Sequence, residues 1–133
     1  MKKIFKFTIH GNPQDIEGNP VPCVRVVGQA LWLPNAKRYW DWKQYVLAVF
    51  LREYPEYSRP GYQPLPLTTK ISAKGRMDIK IFWVNGKHAD PDNIFKGIAD
   101  SLFQKDKFLD GSFESHYAED GKGRVEVEIT LNI

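Results

Sequence analysis

The sequence predicts an α+β fold in which a mixed or antiparallel sheet carries two main helices packed on it. Three observations predict it. Several segments alternate apolar and polar residues, as strands with one wet face do. Two others repeat apolar residues at helical spacing. The elements run strand, strand, helix, loop, strand, helix, strand, strand, without repeats or low-complexity tracts.

The first strand covers residues 3–10. Phe5, Phe7 and Ile9 fall on one face and Lys6, Thr8 and His10 on the other, and Gly11-Asn12-Pro13 ends it. Residues 21–27 form a second strand candidate, and Pro22 suggests an edge position. Asn35 is placed to cap a helix over residues 36–52, with Trp42, Tyr45, Val46, Val49 and Phe50 as its apolar stripe. Pro55 stops that helix. Residues 53–75, punctuated by Pro55, Pro60, Pro64 and Pro66, read as one long loop rather than a domain boundary.

Residues 76–84 form a strong strand. Met77, Ile79, Ile81 and Trp83 share a face, and Phe82 and Val84 make the other face partly apolar, which predicts a central position. Residues 92–103 read as the second main helix, burying Phe95, Ile98, Ala99 and Leu102. Residues 113–118 and 124–133 look like a hairpin around Asp120-Gly121-Lys122-Gly123. The last strand points Val125, Val127, Ile129 and Leu131 inward and Glu126, Glu128 and Thr130 outward.

At 133 residues the chain fits one domain. Hydrophobic residues at 42% and charged residues at 26% are ordinary for a globular protein, whereas 14% aromatics imply an aromatic-rich core or binding face. A formal charge of +3 is compatible with nucleic acid. The lone Cys23 excludes an intrachain disulfide and a multi-cysteine zinc site. No apolar run reaches the ~20 residues a membrane span needs. The basic start is not followed by an apolar stretch, so no signal peptide is expected, and a cytoplasmic protein is the default.

The chemistry is concentrated between His88 and Asp110. Asp90 and Asp92 sit two apart where a strand gives way to a helix, Lys96 is one turn later, Asp100 another, and Asp106 and Asp110 follow. Two carboxylates at such a junction can point into one space while the scaffold holds them still. Carboxylate oxygens are hard ligands and suit Mg²⁺ or Mn²⁺. With a cation they become a phosphate-binding site, and a nearby lysine can neutralise charge on a transferring phosphoryl group. The competing reading is purely structural. Asp before a helix is a common cap, Asp92 and Lys96 make an ordinary i,i+4 pair, and Asp-Pro-Asp-Asn is turn chemistry.

Residues 88–102, His88-Ala89-Asp90-Pro91-Asp92-Asn93-Ile94-Phe95-Lys96-Gly97-Ile98-Ala99-Asp100-Ser101-Leu102, resemble the signature of the RusA family of Holliday junction resolvases. That signature runs roughly D-x-D-N-x-x-K-x-x-x-D-x-L, followed by an acidic pair. Asp90, Asp92, Asn93, Lys96, Asp100 and Leu102 match in register. The resemblance implies a small α+β homodimer, often prophage-encoded, that uses Mg²⁺ to cut four-way or other branched DNA by paired nicks. It makes Asp90 and Asp92 metal ligands and Lys96 the catalytic lysine. The chain departs from the family at Asp110-Gly111, where a second carboxylate is expected. Gly111 offers no side chain, so the third ligand falls to Asp110, Asp106 or Glu114, or is missing. Asp110 substitutes easily only if this segment is a turn, because adjacent strand residues face opposite ways.

Supporting roles are assigned to Asn93, which would hold the loop or Asp90 by hydrogen bonding, and Asp100, which would orient Lys96 across one helical turn. Arg25, Lys37, Arg38 and Lys43, interleaved with Tyr39 and Trp40, are candidates for a basic aromatic DNA-binding face. Lys70, Lys74 and Arg76 could contact junction arms, and His88 a phosphate. His10 and His116 have no partner in sequence. The expected function is a Mg²⁺-dependent junction-resolving endonuclease. The alternatives are a non-catalytic junction-binding protein with a degenerate metal site at Gly111, and a structural protein whose aspartates only cap and pair.

Overall fold

The computed structural model describes residues 2–23, 34–57, 75–103 and 109–132. Strand β1 (Lys2–His10) is followed by helix α1 (Pro34–Glu53) and a 3-10 turn at Pro55–Tyr57. Strand β2 (Gly75–Trp83), helix α2 (Pro91–Leu102), strand β3 (Leu109–Tyr117) and strand β4 (Arg124–Asn132) complete the order. The fold is α+β, a four-stranded mixed sheet with two helices.

The strands lie in the order β1-β4-β2-β3. β4 is antiparallel to both neighbours, and β3 runs parallel to β2. The alternation that marked the strands sets the register. Phe7, Val127, Ile79 and Phe113 form one row across the sheet, and Phe5, Ile129, Met77 and Gly111 the next. A slip of one residue would turn these apolar side chains to the wet face. β2 is central, as its two partly apolar faces predicted.

The expected hairpin between the last two strands does not form. β2, α2 and β3 make a strand-helix-strand crossover, which allows β3 to pair parallel with β2. β4 then inserts between β1 and β2. Residues 118–123 carry the chain over the end of β2, where the Ala118 amide donates to the Trp83 carbonyl. The middle position of β4 buries its inward residues Val125, Val127, Ile129 and Leu131.

α1 begins at Pro34, so Asn35 lies in the first turn rather than at the cap. A proline fits there because its fixed φ suits a first turn and its missing N–H has no intrahelical acceptor to lose. The helix buries Ala36, Tyr39, Trp42, Val46 and Phe50, one stripe at spacings of three and four. Phe50 and Phe5 anchor an aromatic cluster with Tyr54 and Tyr57. α2 buries Ile94, Gly97, Ile98, Ala99, Ser101 and Leu102. Phe95, expected in the buried stripe, is half-buried, packed near Phe113 of the edge strand β3. At Gly97 an added Cβ would lie 3.3 Å from the Tyr39 ring, so glycine lets the two helices approach.

Of the second strand candidate, residues 21–23 are not in a strand, and the rest lies outside the described residues. Val21 is buried, and the Cys23 amide donates to the Asn93 carbonyl. Most of the long loop, residues 58–74, also lies outside the description. Among the described residues, no helix is long and apolar enough to cross a membrane.

Among the described residues, the helices cover one face of the sheet. The other face carries Lys6, Thr8, Asp78, Lys80, Ser112, Glu114, Glu126 and Glu128 around a shallow concavity.

Candidate metal and nucleic-acid site

The acidic stretch sits where β2 hands over to α2. Asp90 occupies the N-cap with extended backbone, φ −70° and ψ 136°, and Pro91 supplies the first helical position. The Asp90 carbonyl accepts the Asn93 amide at 3.0 Å. Its side chain makes no capping hydrogen bond. The structural reading of Asp90 as a side-chain cap therefore fails, and its exposed carboxylate is not used by the helix end. Asp92 lies in the first turn, and its carboxylate is 3.7 Å from Lys96 Nζ with both side chains about half exposed or more. An exposed pair of this kind contributes ~0.3–0.5 kcal/mol, too little to explain the residues by stability alone.

His88 flanks this pair. Its ring stacks on Trp83 with centroids 4.0 Å apart and planes 10° from parallel. Its Nδ1 is 2.8 Å from the Ala89 carbonyl, which can only accept, so Nδ1 carries the proton there. Nε2 is the acceptor of the neutral ring. Trp83 is itself held by its indole N–H donating to Ser115 Oγ at 2.6 Å. Spacing had no means of revealing this stack, because ring contact depends on the course of the loop between Trp83 and His88.

Asn93 anchors through its backbone, with its N–H on Asp90 and its carbonyl receiving Cys23. Asp100 does not orient Lys96. It accepts the Tyr39 hydroxyl at 2.8 Å and lies 3.7 Å from Lys43 Nζ, tying α2 to α1. Burial, a contact with the Cys23 side chain and the Asp100 carboxylate together push the Tyr39 hydroxyl well above its ordinary pKa of 10.0. Residues 39 and 100 are far apart in sequence, so only the docking of the two helices reveals the pair.

The third ligand is where structure and expectation part. Asp110 and Gly111 are in β3, not in a turn. In register, Asp110 lies beside Arg76 and Glu114 beside Lys80. Arg76 and Lys80 are exposed and alternate with the buried Met77, Ile79 and Ile81. Asp110 and Glu114 thus face the open side of the sheet, with the sheet between them and α2. Asp110 is 3.9 Å from Arg76, which binds Asp78 at 2.9 Å. Burial alone would raise the Asp78 pKa, but the Ser112 hydroxyl and the Arg76 guanidinium outweigh it and hold the carboxyl below its ordinary value. The structure does not bring Asp110 or Glu114 to Asp90 and Asp92, and Asp106 lies outside the described residues.

Gly111 faces the helical layer opposite Met77. A Cβ there would overlap the Met77 carbonyl oxygen and come within 2.9 Å of the Phe95 ring. The glycine is a packing requirement of this strand pair. Among the described residues, no three His, Cys, Asp or Glu side chains gather as a metal site.

The expected basic surface divides. Lys37 and Arg38 are exposed on α1 beside Trp40, which is half exposed. Lys43 lies over the Tyr39 and Trp40 rings. Arg76, offered with Lys70 and Lys74 as a contact to junction arms, lies in β2 on the sheet face away from the helices and pairs with Asp78. Arg25, Lys70 and Lys74 lie outside the described residues. His116, without a partner in sequence, stacks on Phe82 at 5.3 Å and lies 3.7 Å from Glu114. Compared with known proteins, the chain matches no protein-family model and no curated protein.

Proposed function

We propose that the chain is a Mg²⁺-dependent endonuclease that nicks four-way or other branched DNA as a homodimer, in the manner of the RusA family it resembles. The observation that carries the reading is the Asp90 carboxylate, placed at a helix cap and left out of capping. It stands two residues from Asp92 and within two turns of Lys96. The in-register resemblance over residues 88–102 supplies the reaction class.

The residues fit such an ion in a limited way. Mg²⁺ is commonly held by one or two carboxylates plus water and substrate phosphate, not by a full protein cage. Asp90 and Asp92 meet that requirement. Bound there, the ion would stabilise charge on the phosphoryl oxygens and lower the pKa of a bound water. Lys96 would neutralise charge developing on the phosphoryl group, with Asp92 limiting the directions its ammonium takes. Lys37, Arg38 and the exposed Trp40 would bind backbone phosphate and a base face. His88, clamped on Trp83, would offer Nε2 to a phosphate in its protonated form.

The test is cleavage of a synthetic four-way junction by purified protein with Mg²⁺. Symmetric nicks are expected, and Asp92→Asn should abolish cutting while leaving junction binding intact. Junctions left whole at every metal concentration would sink the enzyme reading.

A second reading has one specific observation in its favour. Gly111 supplies no ligand on the helical side, and Asp110 faces the other way. A protein that binds junctions without cutting them would show a preference for four-way over linear DNA and no metal-dependent nicking.

A further inference from the structure

Between β2 and α2 the chain has no regular structure from Val84 to Asp90. Two of its hydrogen bonds join near neighbours. The Lys87 amide donates to Asn85 Oδ1 at 2.9 Å, and His88 Nδ1 lies on the Ala89 carbonyl at 2.8 Å. Such local bonds shape a turn without tying it to the body of the fold. The tie to the backbone comes from Asn19. Its Oδ1 accepts the Val84 amide at 2.7 Å, and its Nδ2 donates to the Lys87 carbonyl at 3.3 Å. These partners fix the orientation of the side-chain amide, since a backbone N–H only donates and a carbonyl only accepts. One side chain thus grips both ends of the Asn85-Gly86 turn.

Asn19 is itself held. Asn12, 5% exposed, donates Nδ2 to the Asn19 carbonyl at 2.8 Å and accepts the Gln14 and Asp15 amides on Oδ1. Beside it, the Gly11 amide donates to the Gly123 carbonyl at the start of β4. Further along, the Cys23 amide donates to the Asn93 carbonyl at 3.0 Å, and the Asn93 amide to the Asp90 carbonyl at 3.0 Å. Residues 19–23 therefore hold the acidic stretch from both sides, at Val84 and Lys87 before it and at Asn93 after it. Between those contacts Pro20 and Pro22 restrict the backbone, and Val21 is buried.

We propose that residues 19–23 form a strap that sets the direction of the Asp90 carboxylate, with Asn19 as its positioning residue. The Asp90 side chain makes no capping hydrogen bond, so the helix end does not orient it. Its direction follows from the course of the backbone on either side, and the strap fixes that course at both. Groups that hold a ligand need to stay within ~0.5 Å of their working geometry, which an exposed loop achieves only when its own supports are locked. Asn19 is such a support, locked by the buried Asn12. The role rests on the reading of Asp90 and Asp92 as ligands of a divalent ion; the hydrogen bonds that make the strap do not.

Two magnetic-resonance measurements on the full chain test it, in the parent, in Asn19→Ala and in Asn12→Ala. The second variant loosens the strap from its far end, so the test does not depend on one protein folding. The first measurement is amide hydrogen exchange. Asn19→Ala should speed exchange of the Val84 amide roughly tenfold, the loss of one hydrogen bond, and leave the Ile79 and Ile129 amides in the sheet unchanged. A general weakening of the fold would speed all three. The second is line broadening by added Mn²⁺, which reads ion binding without activity. In the parent, amides of residues 88–96 should broaden first. In both variants the Mn²⁺ concentration that half-broadens them should rise roughly tenfold, as for other supports outside a ligand set. Val84 exchange unchanged in Asn19→Ala overturns the strap. Faster Val84 exchange with unchanged Mn²⁺ affinity overturns the positioning role, since Asn19 would then support the loop and not the site. No broadening at residues 88–96 of the parent removes the ion site and the role of Asn19 together, and the parent alone reveals that outcome.

Discussion

Replacing Gly111 with alanine isolates the one contact that decides how the site departs from its expected form. The new Cβ would overlap the Met77 carbonyl oxygen, and the Phe95 ring would stand 2.9 Å away. The ring can move, but the carbonyl belongs to the central strand and is fixed by pairing on both sides. Overpacking of this kind costs about 1–3 kcal/mol, and a backbone obstacle puts it near the upper end. Removing a glycine from a strand interior returns roughly 0.5–1 kcal/mol. The net loss is then about 2 kcal/mol. An unfolding entropy of ~2.1 cal/mol/K per residue over 133 residues converts that into a fall in melting temperature of ~7 °C. Thermal and urea unfolding followed by circular dichroism would measure it. Gly111→Asp should lose at least as much and should gain no nicking activity, since the carboxylate cannot enter without displacing β3 from β2. A Gly111→Ala protein within about 0.5 kcal/mol of the parent, the range of an ordinary surface substitution, would refute the argument.

Two further predictions address the carboxylates and the helix junction. If Asp90 and Asp92 hold the ion without Asp110, Asp92→Asn should remove any rise in melting temperature produced by Mg²⁺ with junction DNA, whereas Asp110→Asn should keep it; the reverse pattern would return Asp110 to the site. Tyr39 is held neutral in the folded state well above its ordinary pKa of 10.0, chiefly by burial. Its contribution is therefore complete below pH 10 and is lost as pH rises past the point where the unfolded tyrosine ionises, because the unfolded chain then binds fewer protons than the folded one. Tyr39→Phe should lower stability at neutral pH and flatten the alkaline loss, and an unchanged alkaline slope in urea titrations would exclude this cause.

The sequence by itself determined which residues face the core and where the candidate chemistry lies. Alternation in residues 3–10, 76–84 and 124–133 is a one-dimensional record of burial, and it named Phe5, Phe7, Ile9, Met77, Ile79, Ile81, Val125, Val127 and Ile129 as core residues, all of which are buried. Helical periodicity located both helices to within about two residues, although they start at Pro34 and Pro91 and not at residues 36 and 92 as the pattern predicts. Local spacing also paired Asp92 with Lys96, because residues four apart stay neighbours in any helix.

Partnership between distant segments was decided only by the tertiary structure. Asp120-Gly121-Lys122-Gly123 reads as a hairpin turn, yet the chain passes over the end of β2, and β4 pairs with β1 and β2 with Val125, Val127, Ile129 and Leu131 buried. Asp100 was assigned to Lys96 one turn away and instead serves Tyr39 on the other helix. Asp110 was offered to the acidic pair, but strand alternation in β3 turns it to the open face and gives the inward position to Gly111. Periodicity records whether a side chain is inside or outside. Which inside or outside it shares, and with whom, depends on strand order, and no local pattern carries that.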